Sequence, residues 1–165
     1  MSTITPISPI VLQANEGEAL WAFGTLATIK ASSETTEGRV AVIEHLAPEG
    51  AGSPLHVHRR EDEWFYVLDG TLTFWVGGGV IEAGAGSFVY GPRDVPHTFV
   101  VSSPQARFLL VAEPAGFENF MRAVSQPAPS LTIPPPAAPP TDLTPLVAAA
   151  TEYGIEILGP PGIPA

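Results

Sequence analysis

Four side chains in this sequence have the types and spacing to hold a metal ion. His56 and His58 sit two residues apart in Pro54-Leu-His-Val-His58. On a β-strand, residues i and i+2 point to the same face, so the two imidazoles can aim at one point. Glu63 stands at the head of the apolar run Trp64-Phe-Tyr-Val-Leu68 and can bring a carboxylate to that point from a neighbouring strand. His97 ends the stretch Gly86-Ser-Phe-Val-Tyr-Gly-Pro92-Arg-Asp94-Val-Pro-His97 and supplies a third imidazole. Three imidazoles and one carboxylate suit one divalent transition ion, and Ni, Mn, Fe, Co, Cu and Zn all accept such a set. An octahedral ion would keep two open positions. These could take a bidentate anion, or one organic oxygen together with dioxygen.

The elements that must position these groups are short strands. Pro and Gly are abundant, at 19 and 16 of 165 residues, which disfavours long helices and multiplies turns. Residues 19–31 read as one bent strand or two short ones, broken at Gly24, and residues 39–47 as the next. Further short strands are expected at 80–82, 87–90, 97–102 and 107–113, with Gly77-Gly-Gly79 as a turn. Asp69-Gly70 predicts a tight hairpin in which Phe65 faces Phe74 and Glu63 faces Val76. One face then carries Glu63, Phe65, Val67, Leu72, Phe74 and Val76. If Glu63 is a ligand, that face is the interior. Phe65, Val67, Leu72 and Phe74, with Phe99 from the His97 strand, are then expected to line a pocket for a flat, aromatic or otherwise apolar substrate. The opposite face carries Trp64, Tyr66 and Trp75, too much aromatic surface to leave in water. Cover by the N-terminal strand, a second subunit or both is expected, and a homodimer is preferred.

After Pro114 the pattern becomes helical. Phe117, Phe120, Met121 and Val124 fall on one face of a short helix, expected to cap the barrel, with the pocket mouth as its alternative place. Residues 126–140 are Pro-rich and read as an extended linker that cannot pair in a sheet. Thr141-Asp142 can cap a second helix that stops at Gly154, and the apolar tail is expected to pack back on the barrel or on a partner. The whole is a single all-β domain, a sandwich or barrel. It comprises an N-terminal extension with strands (1–38), a barrel core (39–114) and a C-terminal region of short helices and linker (115–165).

Composition removes several classes. Without cysteine there are no disulfides, thiolate ligands or cysteine nucleophiles. A net charge of −10 and scattered basic residues leave no basic face for nucleic acid. No apolar run reaches membrane-spanning length, and Met1-Ser-Thr-Ile-Thr-Pro6 lacks signal-peptide features. A soluble cytoplasmic protein is expected. His45, the one histidine outside the metal set, reads as an ordinary strand residue, and Glu61 and Asp62 read as solvated loop residues.

The two ligand stretches resemble the two cupin motifs. Gly50-x5-His56-x-His58-x4-Glu63-x6-Gly70 is similar to the first, and Gly86, Pro92 and His97 match the second. Asp94 stands where the second motif has glycine, and Val101 where it has asparagine. Aspartate tolerates a turn backbone at φ > 0 better than most residues. The resemblance implies a double-stranded β-helix (jelly-roll) barrel with His56, His58, Glu63 and His97 as ligands of one divalent transition metal ion.

Beyond the motifs the chain resembles small bacterial quercetinase-like cupins, notably through Trp21, Glu63 to Gly70, Phe117 to Val124 and Tyr153 to Gly162. That likeness implies a dioxygenase that opens a flavonol ring and releases carbon monoxide, with an aromatic substrate and dioxygen as partners. Glu63 would be both ligand and catalytic base, or a passive ligand alone. An apolar surround would raise its proton affinity. Isomerisation, cyclisation or decarboxylation of a related dicarbonyl, or plain ligand binding, fit the same motifs.

Overall fold

Short strands punctuated by Gly, Pro and Asp turns do build two antiparallel sheets. The computed structural model describes residues 8–138 and 140–165, so the reading of Met1 to Pro6 lies outside the described residues. In chain order the strands are β1 (Glu18–Ala22), β2 (Thr25–Ala31), β3 (Ala41–Pro48), β4 (Pro54–His58), β5 (Asp62–Asp69) and β6 (Thr71–Val76). They continue with β7 (Gly79–Gly84), β8 (Phe88–Gly91), β9 (His97–Val101), β10 (Gln105–Glu113), β11 (Gln126–Pro127) and β12 (Ile155–Pro161). Three helices, α1 (Ser33–Thr36), α2 (Phe117–Val124) and α3 (Thr144–Glu152), complete the elements. One sheet runs β11-β1-β2-β3-β10-β5-β8 and the other β12-β4-β9-β6-β7. No helix among the described residues is long and apolar enough to cross a membrane.

The Asp69-Gly70 turn does not make a hairpin. β5 pairs with β10 and β8, whereas β6 pairs with β7 and β9 in the other sheet, so the turn is a corner where the chain crosses between sheets. Gly70 is required there: its φ is 78°, and a Cβ would run into the backbone oxygen of Gln105. The inward set survives this correction because period-2 alternation holds within each strand. Glu63, Phe65 and Val67 point in from one sheet, and Leu72 and Phe74 from the other. The outward set is split instead. Trp64 stacks on Tyr90 at 5.8 Å, while Trp75 lies on the opposite sheet. β1 sits far along the sheet order from β5, so the N-terminal strand does not cover Trp64 and Tyr66.

The true tight hairpins lie elsewhere. Residues 19–31 form two strands joined at Phe23-Gly24, and Gly77-Gly78 joins β6 to β7. Both turns hold two consecutive residues at positive φ, as two-residue hairpins of matching twist require.

The Pro-rich segment departs from expectation at its start. Gln126 and Pro127 pair with Trp21 and Leu20 as an edge strand, a place where a missing N–H costs nothing. The indole N–H of Trp21 donates to the Thr132 carbonyl at 2.8 Å and pins the linker further. The tail forms a full strand: β12 extends the second sheet by pairing with the histidine strand β4, Ile155 opposite His58 and Ile157 opposite His56. A buried carboxylate fixes α2. Glu118 accepts from the backbone N–H of Ser33 at 2.6 Å and of Gly116 at 2.7 Å, tying that helix to the loop before β3.

Candidate metal centre

The centre forms between the two sheets. His56 and His97 are direct cross-strand partners on β4 and β9, and His58 is two residues along β4. Glu63 arrives from β5, in the facing sheet rather than from a neighbouring strand. One nitrogen from each imidazole and one Glu63 oxygen lie within 4.8 Å of one another, and all four residues are buried. Asp94, in the turn before β9, adopts a φ of 64°, so its place at a glycine position is accommodated.

Hydrogen bonds fix the orientation of each ring. Nδ1 of His56 lies 2.8 Å from the Pro54 carbonyl, and Nδ1 of His97 lies 3.0 Å from the Val95 carbonyl. Nδ1 of His58 lies 3.3 Å from Oε2 of Glu61. A proton donated through each Nδ1 leaves the three Nε2 lone pairs facing inward. Nε2 of His56 and His58 are 3.1 Å apart, and Oε2 of Glu63 lies 2.9 Å from Nε2 of His97 and 3.3 Å from that of His58. Lone pairs held this closely repel unless a cation or a proton lies among them. Oε1 of Glu63 is buried without a hydrogen-bond partner among the described residues. Inward lone pairs, an orphaned carboxylate oxygen and a pure N/O donor set fit one divalent transition ion.

Without a metal, protons do part of that work. Burial opposes charge on His58, but Glu63 and Glu61 outweigh it and push its pKa up to about 10. Burial, with His97 and His58 beside it, pushes His56 down to about 3. Burial alone would raise the Glu63 pKa, as the sequence suggested. The adjacent His58 and His97 outweigh it and hold this carboxyl well below the usual range.

An apolar cavity of about 80 Å³ adjoins His56 of the centre. His56, Phe99, Gly52 and Ser53 line one part of it. Phe117, Phe120 and Met121 of α2, Leu146 of α3, and Ile155 and Ile157 of β12 complete its lining. Thus α2 borders the cavity. Phe23 stands at the rim, held at a φ of 53° by its turn and stacked on Phe120 at 6.2 Å. Of the five residues expected to line a substrate pocket, only Phe99 borders this cavity. Phe65, Val67, Leu72 and Phe74 are almost wholly buried and pack into one another, Phe65 on Phe74 at 5.0 Å. Facing inward placed them in the solid core, because the barrel is filled at that level.

Sequence reasoning misread three residues. Glu61 is 3% exposed and braces His58, so it is no solvated loop residue. Asp62 is half-buried and ion-paired to Arg93 at 2.9 Å. His45 borders the cavity, stacked on Phe108 at 5.0 Å. Its inward parity on β3, shared with Ile43 and Ala47, was the available signal.

Comparison with known proteins agrees with this geometry. A family model described as a cupin domain matches residues 42–112. Quercetin 2,3-dioxygenase of Bacillus subtilis is 31% identical over 119 residues, which cover 72% of this chain and 35% of that protein. The chain therefore spans about a third of the length of that relative. An RmlC-like cupin from Shewanella frigidimarina superposes with a TM-score of 0.59 at 18% identity, covering 68% of this chain and 96% of that one. A predicted oxalate decarboxylase from Thermotoga maritima gives 0.59 at 19% identity, covering 64% and 99%. At these identities the two structures speak to the fold alone. Two antiparallel sheets, the His–Glu cluster between them and the family match identify a cupin domain over residues 42–112, in a chain that resembles quercetinase-like proteins.

Proposed function

We propose that this chain is a metal-dependent dioxygenase acting on a flavonol-like, enolisable phenolic. The observation that carries the proposal is an apolar cavity lined in part by His56, one of the three inward imidazoles that cluster with one carboxylate. Similarity to a quercetin 2,3-dioxygenase supports it. His56, His58, Glu63 and His97 would hold the ion, which when bound supplies Lewis-acid polarisation of an anionic oxygen ligand. The walls formed by Phe99, Phe117, Phe120 and Ile155 suit a flat aromatic body and exclude water, which strengthens electrostatic interactions inside. Glu63 Oε1 has no hydrogen-bond partner among the described residues, and that atom would be the one to take a proton from the substrate hydroxyl.

The test is oxygen uptake with quercetin, read against carbon monoxide in the headspace. Metal-loaded protein is expected to release about one carbon monoxide per dioxygen consumed, and metal-free protein none. Turnover without oxygen would instead indicate a different metal reaction, such as isomerisation or decarboxylation. Binding without turnover would indicate a binding module.

The proposed assembly is a homodimer. Tyr66 and Leu68 on β5, with Phe88 and Tyr90 on the edge strand β8, form an outward apolar strip, Phe88 being 63% exposed. A sheet edge so furnished invites a second copy. Light scattering is expected to give twice the chain mass for the wild type and the single mass for Phe88→Glu. A monomeric wild type at micromolar concentration would remove the dimer.

A further inference from the structure

We infer that His45 is a specificity-determining residue of the cavity, the side chain that hydrogen-bonds a hydroxyl or carbonyl oxygen on an otherwise apolar, aromatic ligand. The inference rests on the proposed function only in taking this cavity as the ligand site.

The cavity's other polar side chains already have partners. The Thr25 hydroxyl donates to the Ala22 carbonyl at 2.8 Å. Ser53 Oγ lies 3.3 Å from Thr98 Oγ1 and accepts from the Phe99 N–H at 3.4 Å. His56 has its Nδ1 on the Pro54 carbonyl and its Nε2 turned to the metal centre. His45 differs. It is 6% exposed, yet its Nε2 has no hydrogen-bond partner among the described residues.

A buried polar atom without a partner is costly, and such groups in folded proteins call for an explanation. Position supplies one. His45 projects inward from β3, in the sheet facing His56 and His97. Its ring is clamped flat against Phe108, with 7° between the planes, so its edge is held in a fixed direction. Burial holds its pKa near 4, against a weaker opposing pull from Glu63. The neutral ring can donate from one nitrogen or accept at the other. A ligand lacking a matching oxygen would leave the imidazole unpaired, and pockets built to pair a polar group discriminate on that basis. The class implied is therefore an aromatic molecule with two polar features, one oxygen function for the metal centre and a second for His45.

The test uses a matched pair that share a carboxylate for the metal centre, the naphthol 6-hydroxy-2-naphthoic acid and its 6-methyl analogue, titrated by fluorescence into zinc-loaded protein. Wild type is expected to prefer the naphthol by about tenfold. His45→Phe, which keeps the stack on Phe108, should lose that preference, and His45→Gln should retain part of it. A wild type without preference, or a His45→Phe protein with the preference intact, would overturn the role of His45. A wild type without preference overturns that role even where a variant fails to fold. If quercetin is not consumed but the naphthol preference depends on His45, the dioxygenase falls and this inference stands. If quercetin is consumed and His45→Phe leaves the preference unchanged, the reverse holds.

Discussion

His56→Ala and His58→Ala should both abolish stoichiometric metal binding, but only His58→Ala should lower the melting temperature of the metal-free protein. Each variant removes one of four donors. A loss of affinity beyond about 100-fold is expected, since even outer partners of metal ligands are worth about 10- to 100-fold. The metal-free proteins differ because the two rings have opposite electrostatic roles. His56 touches no carboxylate within the centre and burial keeps it neutral. His58 is protonated and lies 3.3 Å from both Glu61 and Glu63. Its removal leaves two buried carboxylates facing each other, a change that costs about 3–5 kcal/mol. For a domain of this size that is a fall on the order of 10 °C. The pH dependence follows in sign. The folded pKa of His58 lies above its unfolded value, near 6.5, so its contribution is full below pH 6.5 and is lost as pH rises through about 10. The gap between wild type and His58→Ala should therefore close between pH 7 and 10. Calorimetry on chelator-treated protein, with metal content by mass spectrometry, reads both effects. Equal melting temperatures at pH 7 would refute the charge assignment.

Glu61→Leu should weaken metal affinity by about 10- to 100-fold while leaving all four donors in place. The Glu61 carboxylate accepts from Nδ1 of His58 and so selects the tautomer that turns Nε2 toward the centre. Leucine removes both the acceptor and its charge. Glu61→Gln keeps an acceptor and should fall between leucine and wild type. Competition against a chromophoric chelator measures this directly, without reference to catalysis. An unchanged affinity in Glu61→Leu would mean that His58 is oriented by its packing against Phe117 instead, 5.3 Å away edge-on.

The parts of this molecule legible in its sequence are those set by local rules. The His56–His58 spacing works because strand parity is indifferent to which strands pair, and the same parity placed Phe65 and Leu72 indoors despite a mistaken hairpin. What parity cannot reveal is depth. Whether an inward residue meets the core, as Phe74 does, or the cavity, as His45 does, depends on the closure of two sheets by strands far apart in sequence. Asp69-Gly70 carries the same local signal for a hairpin as for a corner, and only the competing partners β10 and β9 decide. Glu61 looked like a solvent residue because it stands in a charged run, Arg59-Arg-Glu-Asp-Glu63. The chain's crossing from β4 to β5 folds that carboxylate under His58 and leaves Arg59 outside, paired with Asp94 and Glu156. Pro127 likewise pairs because it reached a sheet edge, which its type permits and its sequence context does not announce.

The most direct measurement is the metal K-edge X-ray absorption spectrum of the loaded protein, before and after anaerobic addition of quercetin. Three imidazoles and one carboxylate oxygen are predicted in the first shell of a single ion, with the remaining light-atom ligands replaced by flavonol oxygen when quercetin is added. A spectrum with one imidazole or none, or a first shell that quercetin leaves unchanged although it binds the protein, would contradict the assignment of His56, His58, Glu63 and His97 as the centre that meets the ligand.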